Sequence, residues 1–201
     1  MMLTEVDRFP DAALPLDACK AHLRLGVGFA DDGGQDGLIL RHLRAAILAI
    51  EARIGKAMLS RQFRLRLTDW RDPRAEVLPV APVTSVASVT LIGRDGALTP
   101  LAEELWRLEP DMHRPCLRPT GWMLPSVPMD GAVEVLFEAG FGPGWEDVPA
   151  DLAHAVMLLA AEYHENRHAS DGVSARGPMP FGVMALIERW RVVRTAAAGK
   201  R

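Results

Sequence analysis

Lysine is almost missing from this chain, with three residues against twenty arginines in 201. Cysteine is scarcer still. Cys19 and Cys116 stand far apart in no Cys-x-x-Cys arrangement, which excludes a disulfide framework or a zinc ribbon and predicts free thiols in a reducing compartment. No apolar run approaches the ~20 residues of a membrane span, so no membrane partner is expected. The opening Met1-Met2-Leu3-Thr4-Glu5-Val6-Asp7 lacks the basic-then-apolar build of a secretion signal. A net charge of −3 gives none of the basic excess of a dedicated nucleic-acid binder. The basic residues thicken only at the C-terminal end, at Arg189, Arg191, Arg194, Lys200 and Arg201.

What is present is hydrophobic patterning enough for a core. Hydrophobic residues make up 49% and charged residues 24%, ordinary values for a globular chain of one domain, or one domain with an insertion. Residues 1–14 show little periodicity and read as an arm. A short helix is expected over 16–25, closed by Gly26. A second spans 36–54, with Asp36 as its cap and Leu40, Leu43, Ile47, Ile50 and Ile54 as one apolar stripe ending at Gly55.

The period then shortens to two. Phe63, Leu65 and Leu67 alternate with Gln62, Arg64 and Arg66, as in a strand with one wet face. A strand is expected over Ser85 to Ile92, Asp95-Gly96 supplies a hairpin turn, and Val133, Val135 and Phe137 form a final strand. Helices return at 150–168 and 182–193, followed by a basic tail, 194–201. The fold class is therefore α+β: a small antiparallel helical bundle with a β-rich insertion at about 61–140, within one domain spanning 15–193. Alternating βα units, which would signal a doubly wound sheet, are absent.

One segment carries possible chemistry. His164-Glu165-Asn166-Arg167-His168 matches H-E-x-x-H, in which two imidazoles share a helix face and bind zinc while the glutamate acts as base. Glu188, twenty residues after His168, would supply the third ligand. Helical geometry argues otherwise. At 100° per residue, His164 and His168 fall roughly 110° and 150° from the centre of the stripe Leu152, Val156, Leu159 and Tyr163, and Glu188 lies opposite Val183, Leu186, Ile187, Trp190 and Val193. On this reading both histidines are solvated at a helix end, where cationic side chains suit the dipole. The alternative is a zinc-dependent metallopeptidase using His164, His168 and Glu188, with Glu165 as base.

Other motifs fail on context. Gly140-Phe141-Gly142-Pro143-Gly144 follows a strand but completes no G-x-G-x-x-G, and no helix starts directly after it, as a phosphate loop requires. No Gly-x-Ser-x-Gly elbow occurs, and neither cysteine has a histidine placed to activate it. The expectation is no enzyme, no catalytic residues and no cofactor.

Four places together resemble the head–tail connector (adaptor) family of tailed phages and prophages. They are Leu16-Asp17-Ala18-Cys19-Lys20-Ala21-His22-Leu23-Arg24-Leu25, then the long helix ending Ile54-Gly55-Lys56-Ala57-Met58-Leu59 before the strand at Gln62-Phe63-Arg64-Leu65. The third is Val133 to Gly142 with Val148-Pro149 opening a helix that ends Tyr163-His164-Glu165-Asn166-Arg167. The fourth is Met179-Pro180-Phe181-Gly182-Val183-Met184-Ala185-Leu186-Ile187. Their order and spacing span about 15–192. In that family Glu165-Asn166-Arg167 is a recurring helix ending that needs no flanking histidines.

The resemblance implies a structural subunit whose mechanism is assembly. About a dozen copies would form a ring, with the portal protein on one side and a stopper or tail-terminator protein on the other. DNA would pass through the channel without specific binding, since a mildly acidic subunit repels phosphate. The site would be the neck of a virion or phage-like particle, such as a gene transfer agent, assembled in the bacterial cytoplasm. Family members commonly grip the portal with terminal segments, which makes Arg191, Arg194, Lys200 and Arg201 candidate partner-binding residues.

Overall fold

The computed structural model describes residues 1–24, 34–166 and 179–191. Among these, four helices and two antiparallel sheets form an α+β fold. The helices are α1 (Leu16–His22), α2 (Asp36–Ile54), α3 (Ala150–Glu165) and α4 (Phe181–Ile187). The strands are β1 (Met2–Glu5), β2 (Arg61–Leu67), β3 (Glu76–Val77), β4 (Val83–Ile92), β5 (Leu98–Pro100), β6 (Trp106–Glu109), β7 (Cys116–Pro119) and β8 (Ala132–Ala139). The larger sheet has the order β1-β2-β8-β4-β5 and the smaller one β3-β7-β6.

Two hydrophobic cores result. In the first, Leu43, Ile47, Ile50 and Ile54 of α2 meet Leu152, Val156 and Leu159 of α3, with Val183 and Ile187 of α4 closing the side. Each such side chain contributes about 1.5–3 kcal/mol on full burial. α2 runs over the expected residues, but Asp36 is its first helical residue rather than its cap: Gln35 takes the cap position with no side-chain hydrogen bond, and Asp36 pairs with Lys20 of α1. The helix stops where Gly55, at φ 68°, places its N–H on the Glu51 carbonyl at 2.8 Å, a left-handed cap that glycine adopts without strain. At the other end of its stripe Ile39 is buried, and Leu40 is only partly so.

The second core lies between the two sheets, where Phe63, Leu65, Val89, Val133, Val135 and Phe137 meet Trp106, Leu117, Leu78 and Leu124. Strand alternation is fully expressed in β2, whose odd positions from Arg61 to Leu67 are buried and whose even positions are exposed. The Asp95-Gly96 turn joins β4 to β5, with Ile92 opposite Leu98. The final strand, β8, occupies the centre of the large sheet, Phe63 opposite Phe137 with rings stacked at 5.7 Å.

Several boundaries differ from the sequence reading. The segment read as an arm supplies the edge strand β1 and buries Phe9 and Leu14 against the helical core. α1 ends at His22, and Arg24 already has φ 52°. α3 is described as far as Glu165, followed by Asn166; the rest of the expected 150–168 lies outside the described residues. The expected helix 182–193 is broken. α4 ends at Ile187 and tightens into a 3-10 turn, Glu188–Trp190, after which Arg191 is extended. The tightening brings the Trp190 indole N–H to Asp151 of α3 at 2.7 Å and its ring edge-on to Phe141.

Candidate functional site

The H-E-x-x-H segment does not form the arrangement a peptidase needs. His164 is 7% exposed and forms part of the buried face of α3. Its ring meets His42 of α2 edge-on, centroids 5.8 Å apart. This corrects the expectation of a solvated histidine. The buried face is centred on Ala155, Val156, Leu159 and Ala160, and His164 lies one turn beyond Ala160 on that face. Tyr163, which had set the angle, is only partly buried.

Glu165 is exposed. Glu188, 63% exposed, pairs with Arg191 at 3.1 Å. His168 lies outside the described residues, as do Arg194, Lys200 and Arg201. Among the described residues no three His, Cys, Asp or Glu side chains converge to hold a metal ion. Burial pushes both cysteine thiols above their ordinary value, against the need of a nucleophile.

The polar chemistry that does exist within the fold joins the two cores. Arg61, the buried first residue of β2, donates to Glu51 of α2 at 2.7 and 3.1 Å, to the Leu59 carbonyl at 3.1 Å and to Glu5 of β1 at 2.8 Å. Its guanidinium lies 5.3 Å from the Phe9 ring centroid and 4.9 Å from that of Phe63. Glu51 also accepts the Met58 N–H at 2.6 Å. Burial pushes the Glu51 carboxyl above the ordinary carboxylate range, opposed by Arg61 and the Met58 N–H. The two ion pairs of Arg61 thus tie α2 and the edge strand β1 to β2.

Beside it Lys56 is fully buried and donates to the Met112 carbonyl, while burial pulls its ammonium below the ordinary range. Across the junction Gly140, at φ 145°, passes so close to Leu59 and Ser60 that a Cβ would strike their backbone. These contacts set how the β-rich part is mounted on the helices. The signals for them were in the sequence: Glu51 sits one turn beyond Ile47 inside an apolar stripe, and Arg61 occupies an inward position of an alternating strand.

The outer surface carries exposed apolar groups. Phe181 is 89% exposed, beside Met179, Pro180, Met184, Ala185 and Glu188. On the β-rich part Trp122 is 82% exposed, and Met123, Met129 and Leu98 are also exposed. Large exposed apolar side chains of this kind mark contact surfaces more often than catalytic ones.

No protein-family model and no curated protein matches the chain. Solved structures do. A chain in the neck of an empty gene transfer agent particle, computed with C6 symmetry, is 54% identical over 98% of both chains with a TM-score of 0.88. A chain in the virion of a native gene transfer agent particle is 53% identical over 98% of both, with a TM-score of 0.86. A chain in the neck of a native particle, computed with C12 symmetry, is 49% identical over 98% of both, with a TM-score of 0.83. Identity of this order over the full length of both chains, with the same fold, means that this chain belongs to the head–tail connector (adaptor) family of gene transfer agent particles.

Proposed function

We propose that the chain is the adaptor subunit of a neck ring, seated between the portal protein and a stopper or tail-terminator protein of a gene transfer agent or related particle. The observation that carries this is its full-length likeness to chains of particle necks computed with C6 and C12 symmetry. A symmetric neck needs many copies of one subunit, and closed rings are built from heterologous contacts repeated around an axis. About a dozen copies would satisfy either symmetry.

The helical bundle serves as the rigid body of the subunit, and the β-rich insertion at 61–140 offers loops to its neighbours. The work done is positional: the ring lengthens the channel and presents a platform. At −3 per copy, the assembled ring repels DNA phosphate and lets the duplex slide through without specific binding. Assembly takes place in the bacterial cytoplasm, before the particle leaves the cell.

The C-terminal basic residues Arg191, Arg194, Lys200 and Arg201 grip carboxylates on the portal, giving a salt-sensitive contact. Arg191 is exposed in the described part. Deleting residues 194–201 tests the assignment. The expected result is heads without joined tails and weaker portal binding, most marked at high salt. Normal tailing with unchanged portal affinity would remove the tail from the mechanism.

A further inference from the structure

In a chain of net negative charge, arginines gather along one side of the three-stranded sheet. Arg107 of β6 and Arg118 of β7 are directly opposed across the ladder, a like-charge pairing whose repulsion Glu109 partly offsets. Two adjoining grooves share Arg118. One is lined by Arg74, Arg107, Pro119, Gly121 and Trp122, the other by Arg71, Asp72, Ala75, Val77, Arg114 and Cys116.

The groove beside Trp122 takes in Arg74, Arg107 and Arg118 with no carboxylate among its lining residues. Glu109 engages Arg118, at 3.2 Å through one oxygen, and lies 3.9 Å from Arg107. Asp72 faces the second groove. Asp111 is occupied in capping the turn at His113 and Arg114, at 2.7 and 2.6 Å. Arg107 remains 60% exposed.

The aromatic beside this charge is held out on a fixed mount. Leu124 is buried in the sheet core, its N–H bonded to the Pro73 carbonyl at 2.8 Å, and the buried Trp70 donates its indole N–H to the Pro125 carbonyl at 2.8 Å. Trp122, two residues before Leu124, projects into solvent from that anchor. Tryptophan and arginine are the side chains that most often dominate protein–protein contacts, and a pre-set position spares the ordering cost on binding. A site built only for a nucleic-acid backbone gains nothing from the exposed Met123 alongside.

We propose that this arginine-lined surface docks an acidic segment of another neck protein, with two or more carboxylates flanking an apolar side chain that packs on Trp122. The proposal rests on the neck-ring reading above and names one of its contact surfaces. A different protein fits better than a second copy of this chain. The acidic turn Glu103–Leu105 of this chain already adjoins the same sheet, through the Thr120 N–H to the Leu105 carbonyl at 3.1 Å, so it cannot reach the equivalent surface from the opposite side of a neighbouring copy. A ring contact needs complementary patches on opposite sides of the subunit.

The test uses the full chain in a particle-producing strain, comparing Arg74→Glu with Arg107→Glu combined, Trp122→Ala alone, and Arg107→Lys. The expected result is unchanged melting and unchanged incorporation of the chain into heads, with about a tenfold or greater fall in joined tails for the first two variants. Arg107→Lys should retain joining, more so at low salt. If the double variant fails to fold, Trp122→Ala decides. Normal joining in a folded variant overturns the proposal. So does retention of a random-sequence DNA duplex by the purified chain that both variants lose, which would assign the surface to nucleic acid. A change in the oligomeric state of the purified chain would assign it to a second copy and equally overturn it. Absence of the unaltered chain from purified particles is a different failure, that of the neck reading itself.

Discussion

Replacing Arg61 with methionine isolates the contribution of the buried ion pair at the junction of the two cores. The substitution keeps most of the side-chain volume and leaves Glu51 with one hydrogen bond, from the Met58 N–H at 2.6 Å. Removing one partner of a buried pair costs about 3–5 kcal/mol, because the remaining charge stays desolvated. The surviving bond offsets about 1 kcal/mol of that. Loss of the half-exposed Glu5 link adds up to about 1 kcal/mol. A net loss of about 3 kcal/mol at neutral pH is expected.

The loss should depend on pH with a definite sign. Glu51 is already held above its ordinary value of 4.5 by burial, and Arg61 is the main influence opposing that rise. Without Arg61 the folded-state value climbs further. A carboxyl whose folded value is raised favours the folded state below the unfolded value and loses that contribution as pH rises through the folded one. The deficit of the variant relative to the unaltered chain should therefore shrink as pH falls toward 4.5 and be largest at neutral pH. Urea unfolding of both proteins at about pH 7 and about pH 5 reads this directly. A loss under about 1 kcal/mol at neutral pH, or a difference that does not change with pH, would refute the assignment of Glu51 as a buried charge that depends on Arg61. Adding Glu51→Gln to the variant should recover most of the loss.

Ile47→Ala or Leu159→Ala should each cost about 2–5 kcal/mol, since both side chains are buried where α2 meets α3; losses below about 0.5 kcal/mol at both sites would contradict that packing. Gly140→Ala should cost about 2 kcal/mol or more, because the added Cβ meets backbone atoms of Leu59 and Ser60 at a φ of 145°. An unchanged melting temperature would show that the junction can open at no cost.

The limits of α2 and the wet and dry faces of β2 were legible in the sequence because each depends on short-range periodicity. A stripe at three-and-four spacing or an alternation of two survives without knowledge of the partner. The face of α3 was misjudged for a physical reason. Ala155 and Ala160 carry the centre of its contact, and alanine is too small and too common to mark a core position, so the larger Tyr163 drew the stripe toward itself. His164 was consequently placed in solvent when it packs against His42. The end of α4 was misplaced because the pull of Asp151 on Trp190 acts between residues 39 apart, a separation no local pattern reports.

By itself the sequence determined that helices precede and follow the strands from Arg61 to Ala139, which residues form most of the α2 stripe, and, through ordered motifs from 15 to 192, the family. Those properties reside in local spacing and in residue identity. Only the tertiary structure decided that β8 lies at the centre of the large sheet, that β1 joins it as an edge strand, and that Glu5, Glu51 and Arg61 meet at one point. It alone set Arg107 against Arg118 beside Trp122. Strand order and buried charge pairing depend on contacts between distant segments, and their energy exists only once the chain has closed on itself.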